Sequence, residues 1–261
     1  MILDEIAAKT RERVAERSAE IPLSELRAKA EELPKNTGFS FKSALGGDEI
    51  SFICEVKKAS PSKGVIAEDF PYLQIARDYE AAGASAISCL TAPFWFKGSD
   101  EYLKEIAAEV KIPVLRKDFT ISEYMIYEAK LLGAAAVLLI CAILSAEQLK
   151  EYLELAHSLG LSALVEAHDE NEVRMALGSG AEIIGVNNRD LRTFEVDINN
   201  SARLRRLVPP EKLFVSESGI KTPGDIANLR RDGVNAVLIG ETLMRSGNKK
   251  AELDALRGHA I

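Results

Sequence analysis

From residue 81 onward one unit recurs: the end of an amphipathic helix, a Gly, then a short apolar run. It stands at Ala81-Ala82-Gly83 into Ser85–Leu90, Leu131-Leu132-Gly133 into Ala135–Ile140, and Ser158-Leu159-Gly160 into Ser162–Ala167. It returns at Gly178-Ser179-Gly180 into Glu182–Val186 and at Arg231-Asp232-Gly233 into Asn235–Ile239. A Gly just past a helix supplies the left-handed backbone that ends it. The intervals from Gly83 to Gly133 and from Gly180 to Gly233 are about twice the other two, so two units must stop their helices differently. Both are visible: Lys111-Ile112-Pro113 leads into Val114–Lys117, and Pro209-Pro210 leads into Leu213–Glu217. An opening strand over residues 51–57 makes eight. The strands are short, apolar on both faces and separated by single helices, the pattern of a parallel sheet covered by helices. Crossovers in such units are right-handed. Eight βα units in about 210 residues predict an α/β fold of the closed (β/α)₈ kind, a TIM barrel. A doubly wound open sheet is the alternative, but no strand runs into a Gly-x-Gly-x-x-Gly turn, so its dinucleotide-binding form has no support.

Residues 1–50 precede the barrel as an N-terminal helical extension. Ile2, Leu3 and Ile6 recur at helical spacing, and Pro22 opens a second helix striped by Leu23, Leu26, Ala30 and Leu33. Residues 34–50 read as loop, with Phe39, Phe41 and Leu45 available to pack this segment onto the barrel. The βα units occupy 51–246, and 247–261 are expected to be a frayed C-terminal tail. The whole of 1–261 then reads as one TIM-barrel domain.

Aromatic residues are only 6% of the chain, so the core must rest on Ala, Val, Ile and Leu. A net charge of −7 argues against a nucleic-acid partner. It leaves room for an anionic small molecule, because a local group of Lys and Arg can outweigh the global sign. Cys54, Cys89 and Cys141 match no zinc spacing and lie in or beside apolar runs, as reduced core thiols of a cytoplasmic protein would. His157, His168 and His259 form no ligand pair, and no metal is expected. The N-terminus lacks the apolar core of a signal peptide. The longest apolar run, Leu131 to Leu144, falls short of the roughly 20 residues of a membrane span. No membrane partner is expected, and the chain is expected to act as a monomer.

In a (β/α)₈ barrel the C-terminal ends of the strands face the active site. The first strand ends with Glu55 and Lys57 on the face of Ile53, roughly 7 Å apart along the chain. A Glu–Lys pair at one strand end could be purely structural; the same pattern at later ends is harder to explain that way. The third strand gives Lys117, the fifth Glu166, the sixth Asn187 followed by Arg189, the seventh Glu217, Ser218 and Gly219, and the eighth Gly240. Ser218-Gly219 and Gly240-Glu241 are each expected to precede a helix, where backbone N–H groups can hold a phosphate. Only the backbone of Glu241 could serve in that role. With Lys57, Lys117 and Arg189 these turns point to a phosphorylated substrate. Lys117 and Glu166 are the acid–base candidates. A Lys crowded by cations and partly desolvated would have its pKa lowered, and a Glu between apolar walls would move up. A Schiff-base role for Lys117 or Lys57 uses the same residue types. His168, in a turn beside Asp169 and Glu170, is expected to cap or pack rather than react. The segment Ser60 to Asp69 is a candidate lid.

These strand ends together resemble the indole-3-glycerol phosphate synthase family of tryptophan biosynthesis. The motifs are Glu55-Val-Lys57-Lys58-Ala-Ser60-Pro61-Ser62, Pro113-Val-Leu-Arg-Lys117-Asp118-Phe119, Leu164-Val-Glu166-Ala-His168, Ile184-Gly-Val-Asn187-Asn-Arg189-Asp190-Leu191, Glu217-Ser218-Gly219-Ile220 and Ile239-Gly240-Glu241. The resemblance implies a lyase without cofactor that closes the ring of 1-(2-carboxyphenylamino)-1-deoxyribulose 5-phosphate with loss of carbon dioxide and water. It implies Lys117 as general acid, Glu166 as general base or relay, and Lys57 at the substrate carboxylate or sharing proton transfer. Glu55 and Asn187 would orient the substrate, Arg189 would add positive potential, and Glu217 with Ser218 would complete the mouth. Ser60 and Pro61 would contact the substrate. The phosphate would lie near Lys57, Gly219, Gly240 and the Glu241 backbone. The extension would help to cover the substrate. One departure stands at Thr91-Ala92, where the family usually carries an acidic residue after the Thr; Phe94, Trp95 and Phe96 follow and are expected to line an aromatic pocket. Two alternatives compete. Phosphoribosylanthranilate isomerase would need a Cys and an Asp as its acid–base pair, and neither Cys54 nor Cys89 falls at an inward strand end. A silent metabolite-binding barrel would predict loss of Lys117 or Glu166.

Overall fold

The computed structural model describes residues 2–190 and 193–258. Leu191, the last residue of the fourth motif, and His259 lie outside the described residues. The chain opens with α1 (Ile2–Glu20), α2 (Leu23–Glu31) and α3 (Ser40–Leu45), then β1 (Ser51–Val56) and a small ribbon of β2 (Ala59–Ser60) and β3 (Gly64–Val65). There follow α4 (Tyr72–Ala81), β4 (Ala86–Leu90), α5 (Asp100–Glu109), β5 (Val114–Lys117), α6 (Glu123–Leu131), β6 (Ala136–Ile140), α7 (Ala146–Ser158) and β7 (Ser162–Ala167). The last part is α8 (Glu170–Gly178), β8 (Ile183–Asn187), α9 (Asn199–Arg205), β9 (Leu213–Glu217), α10 (Pro223–Arg231), β10 (Ala236–Ile239), α11 (Glu241–Arg245) and α12 (Lys249–Arg257). Eight strands close a parallel barrel in the order β1-β10-β9-β8-β7-β6-β5-β4. Each lies within a residue of the span expected from the Gly and Pro stops.

The period of two along each strand sorts the apolar side chains. Ile53, Ala86, Leu115, Leu138, Leu164, Val215 and Leu238 share one cluster inside the barrel. Their neighbours Cys54, Ile87, Val114, Val137, Val165 and Val237 pack outward with the helices. Cys54 and Cys89 thus point away from the barrel interior, as expected, and all three Cys are free and buried.

The extension departs from its reading in one respect: α3 forms where loop was expected. Its Phe41 and Leu45, one helical turn apart, are fully buried in the barrel's interior cluster. Lys42 N–H donates to Ser162 Oγ at 3.3 Å, and Ser51 Oγ donates to the Ala44 carbonyl at 3.0 Å. Those partners begin β7 and β1, so α3 plugs the N-terminal end of the barrel. At the other end, α1 is anchored by Arg13 to Asp118 at 2.8 Å and by Arg17 to Glu128 at 2.6 Å. Asp118 and Arg116 belong to one buried network: Asp118 accepts from Thr91 Oγ1 at 2.6 Å, and Arg116 reaches Asp100 at 2.8 Å and Glu128 at 2.5 Å.

The expected frayed tail is corrected as well. Residues 249–257 form α12, with Leu253 and Leu256 buried. Arg257 donates to the carbonyls of Ala82 and Gly83 at 2.9 and 2.6 Å. It also lies over the Phe52 ring at 5.1 Å. The helix therefore closes the last βα unit against the outside of the first. No described helix is long and apolar enough to cross a membrane.

Candidate active site

A cavity of about 760 Å³ opens at the C-terminal ends of the strands. Every residue selected from the strand ends lines it: Glu55, Lys57, Ser60, Pro61, Lys117, Glu166, Asn187, Arg189, Glu217, Ser218, Gly219, Gly240 and Glu241. Glu55, Glu166 and Glu217 are at most 5% exposed. Buried carboxylates demand partners, and two lysines supply them. Lys57 is paired with Glu55. Lys117 Nζ lies 3.1 Å from Glu166 Oε2 and 3.6 Å from Glu217 Oε2. Asn187 Nδ2 donates to Glu166 Oε1 at 3.4 Å, while Asn187 Oδ1 accepts from the Arg189 N–H at 3.0 Å.

This arrangement reverses the expected pKa directions. The groups around Lys117 are carboxylates, not cations. Burial pulls its pKa down, but Glu166, Glu217 and Glu55 outweigh burial and the net shift is up. Burial pushes Glu166 up, yet Lys117 and His168 overcome it and hold the carboxyl below its usual range. Glu217 is the group that moves up, to about 8, because burial together with the fields of Glu166 and Glu55 outweighs Lys117. Its Oε1 is buried without a hydrogen-bond partner among the described residues, which suits a protonated carboxyl. The cavity thus sets around one ammonium held in its charged form a carboxylate held toward its ionised form and a carboxyl drawn toward its neutral form.

Glycines make room for these groups. Gly185 of β8 faces inward, and a Cβ there would overlap Glu217 Oε1. A Cβ on Gly240 would overlap Glu55 Oε1 and come within 2.9 Å of Lys57 Nζ. After β9 the chain takes two left-handed residues in succession, Ser218 at φ 68° and Gly219 at φ 84°. Positive φ is costly for a residue with a side chain. Asn188 braces this turn: its Nδ2 donates to Ser216 Oγ and to the Ser218 carbonyl, both at 3.0 Å, and its Oδ1 accepts from Ser201 Oγ at 2.8 Å. Gly240 leads directly into α11, but Ser218-Gly219 does not lead directly into a helix, since α10 begins only at Pro223.

The rest of the wall was not read from the strands. Ile2, Leu3 and Ile6 of α1 roof the cavity, and Lys221, Thr242 and Arg245 join its Gly219–Glu241 side. The Glu241 side chain is engaged by Arg245 Nε at 3.2 Å and Lys63 Nζ at 3.8 Å, the latter from the β2–β3 turn. Of the three aromatics after β4, only Phe96 lines the cavity, 5.8 Å from the Phe119 ring; Phe94 is 55% exposed, and Trp95 packs on the barrel's interior cluster. His168 does more than cap: its Nε2 lies 3.5 Å from Glu166 Oε1. A two-residue step from Glu166 along β7 was the signal that could have shown it.

Residues 3–256 match the family model described as indole-3-glycerol phosphate synthase. A protein of that name from Ruminiclostridium cellulolyticum is 61% identical over 260 residues, covering 100% of both chains. Another from Endomicrobium trichonymphae is 60% identical over 98% of this chain and 100% of its own. Among solved structures, one described as KGPDC from Streptococcus mutans superposes with a TM-score of 0.61 at 10% identity, covering 81% of this chain and 97% of that one. At that identity the likeness is one of fold.

Proposed function

The chain belongs to the indole-3-glycerol phosphate synthase family, and from that premise we propose how its residues divide the reaction. It is a carboxy-lyase of tryptophan biosynthesis that converts 1-(2-carboxyphenylamino)-1-deoxyribulose 5-phosphate to indole-3-glycerol phosphate. The aromatic carbon bearing the carboxylate attacks the ketone, and Lys117 Nζ gives its proton to the ketone oxygen as the ring closes. The carboxylate then leaves as carbon dioxide, and its bond electrons restore the aromatic ring. In the last stage Lys117, reprotonated from solvent, gives a second proton to the new hydroxyl, which leaves as water, and Glu166 takes the proton from the methylene carbon beside nitrogen. With the substrate carboxylate ionised, substrate plus one proton equals product, carbon dioxide and water.

The observation that carries these assignments is Lys117 held between Glu166 and Glu217 at the floor of one cavity. An ammonium kept charged is available as an acid, and an ionised carboxylate beside it is available as a base. Glu217, protonated, holds a proton within reach of Lys117. Glu55 fixes Lys57 for the substrate carboxylate, Asn187 aligns Glu166 and the substrate hydroxyls, and Arg189 adds positive potential. The phosphate lies against Ser218, Gly219, Gly240 and the Glu241 backbone, with Ser60 and Pro61 closing over it. Phe96 and Phe119 take the anthranilate ring. No organic or metal cofactor is invoked, since the substrate's own iminium accepts the electrons. One chain supplies the whole rim, which supports action as a monomer, and three buried free thiols support a cytoplasmic setting.

The test is fluorescence of the indole product formed from the synthetic ketose phosphate. Wild type is expected to form it, and Lys117→Ala is expected to lower turnover about 10²–10⁴-fold while changing ligand affinity much less. Wild-type turnover in Lys117→Ala would remove Lys117 from the chemistry.

A further inference from the structure

Behind Glu166, on the side away from Lys117, stands a second chain of ionisable groups. His168 follows β7 directly, two residues beyond Glu166. Glu172 sits in the first turn of α8, held by Asp169, whose carboxylate accepts from the N–H groups of Asn171 and Glu172 at 2.8 and 3.0 Å. Glu172 Oε2 accepts from the His168 backbone N–H at 2.7 Å and meets His168 Nδ1 at 3.2 Å. The other ring nitrogen, Nε2, is buried, has no hydrogen-bond partner among the described residues, and lies 3.5 Å from Glu166 Oε1.

A neutral imidazole has one donor nitrogen and one acceptor nitrogen. With Nδ1 donating to Glu172, a neutral ring would turn its lone pair on the Glu166 carboxylate. With a proton on each nitrogen, both contacts are attractive. We propose that His168, oriented by Glu172, is a positioning residue for Glu166: a doubly protonated ring that fixes the carboxylate's direction and keeps it ionised. Glu166 would then be held from three sides, by Lys117 on Oε2 and by Asn187 and His168 on Oε1. The titratable groups facing the ring are Glu166 from β7, Glu172 from α8 and the carboxyl of Glu217 from β9, with Lys117 beyond Glu166; Asp4 of α1, Asp169, Asp190, Asp197 and Arg203 line the pocket beside it. Burial disfavours the imidazolium, but the bond to Glu172 and the fields of Glu166 and Glu172 outweigh it, and its pKa moves up.

The inference rests on Glu166 being the base. Three measurements separate its failure from failure of that reading. In wild-type enzyme with ¹⁵N-labelled histidine, the His168 ring is expected to show both nitrogens protonated at pH 7; a single neutral tautomer would overturn the proposal. In His168→Ala, kcat is expected to fall roughly tenfold, part of what a general base contributes, and its acid limb to move to higher pH. That direction follows because Glu166 loses a neighbouring cation and its pKa rises toward the assay range. Glu172→Ala is expected to add nothing in the His168→Ala background. A packing role would lower kcat at every pH without moving the limb, and an unmoved limb would overturn the proposal. Glu166→Gln reports on the base itself: unchanged turnover there would reject the role of Glu166, whatever the ring's charge.

Discussion

At the N-terminal end of the barrel, α3 inserts Phe41 and Leu45, both fully buried, among the interior side chains. At the C-terminal end, α1 of the same extension covers Glu55, Lys117, Glu166 and Glu217 with Ile2, Leu3 and Ile6. Burying a large apolar side chain contributes about 1.5–3 kcal/mol. Burying charge costs several kcal/mol per ion and is only partly offset by pairing. One extension therefore closes the floor where closure stabilises, and roofs the mouth where the buried groups weigh against stability but can do chemistry. The lesson is that covering a barrel end is not one task, and the two ends should respond to mutation in different observables.

The largest effect on stability is expected at the floor. Phe41→Ala should cost about 3–5 kcal/mol and lower Tm on the order of 10 °C, with kcat per folded molecule retained; calorimetry and a steady-state assay check both. At the mouth, Gly185→Ala should push the Glu217 carboxyl from its place and lower kcat by about 10²-fold, as a displacement near 1 Å can. Circular dichroism should show the fold intact, and in a Glu217→Ala background the same substitution should cost far less. Near-additive losses would mean that Gly185 serves packing alone. The smallest expected effect is a slope. Glu217 binds its proton more tightly folded than unfolded, so its contribution to stability is full below the ordinary Glu range near 4.5 and is lost as pH rises through about 8. Wild type should lose stability relative to Glu217→Gln across that window in denaturant titrations; parallel curves would contradict a protonated Glu217.

The barrel was legible because each strand is announced by a Gly or Pro stop and filled on both faces with Val, Ile, Leu or Ala. The rim was legible because ionisable residues recur at the inward positions where those strands end. What escaped is what arises between segments. Phe41 and Leu45 are one turn apart, but between Gly38 and Gly46 nothing local distinguishes a six-residue helix from a loop. Leu253 and Leu256 read as a tail because their partners lie on the far side of the chain's sequence. The company of Lys117 could not be read either: β5, β7 and β9 each carry one charge at the end, and only closure puts two carboxylates around one ammonium. For the same reason the pKa directions came out reversed. His168 was visible as a residue but not as a neighbour of Glu166.

The most direct test of this division is kcat per folded molecule for Phe41→Ala and Lys117→Ala, assayed side by side on saturating substrate. Wild-type-like turnover is expected from the first, and a loss of about 10²–10⁴-fold from the second. Equal losses in the two, or a loss confined to Phe41→Ala, would contradict it.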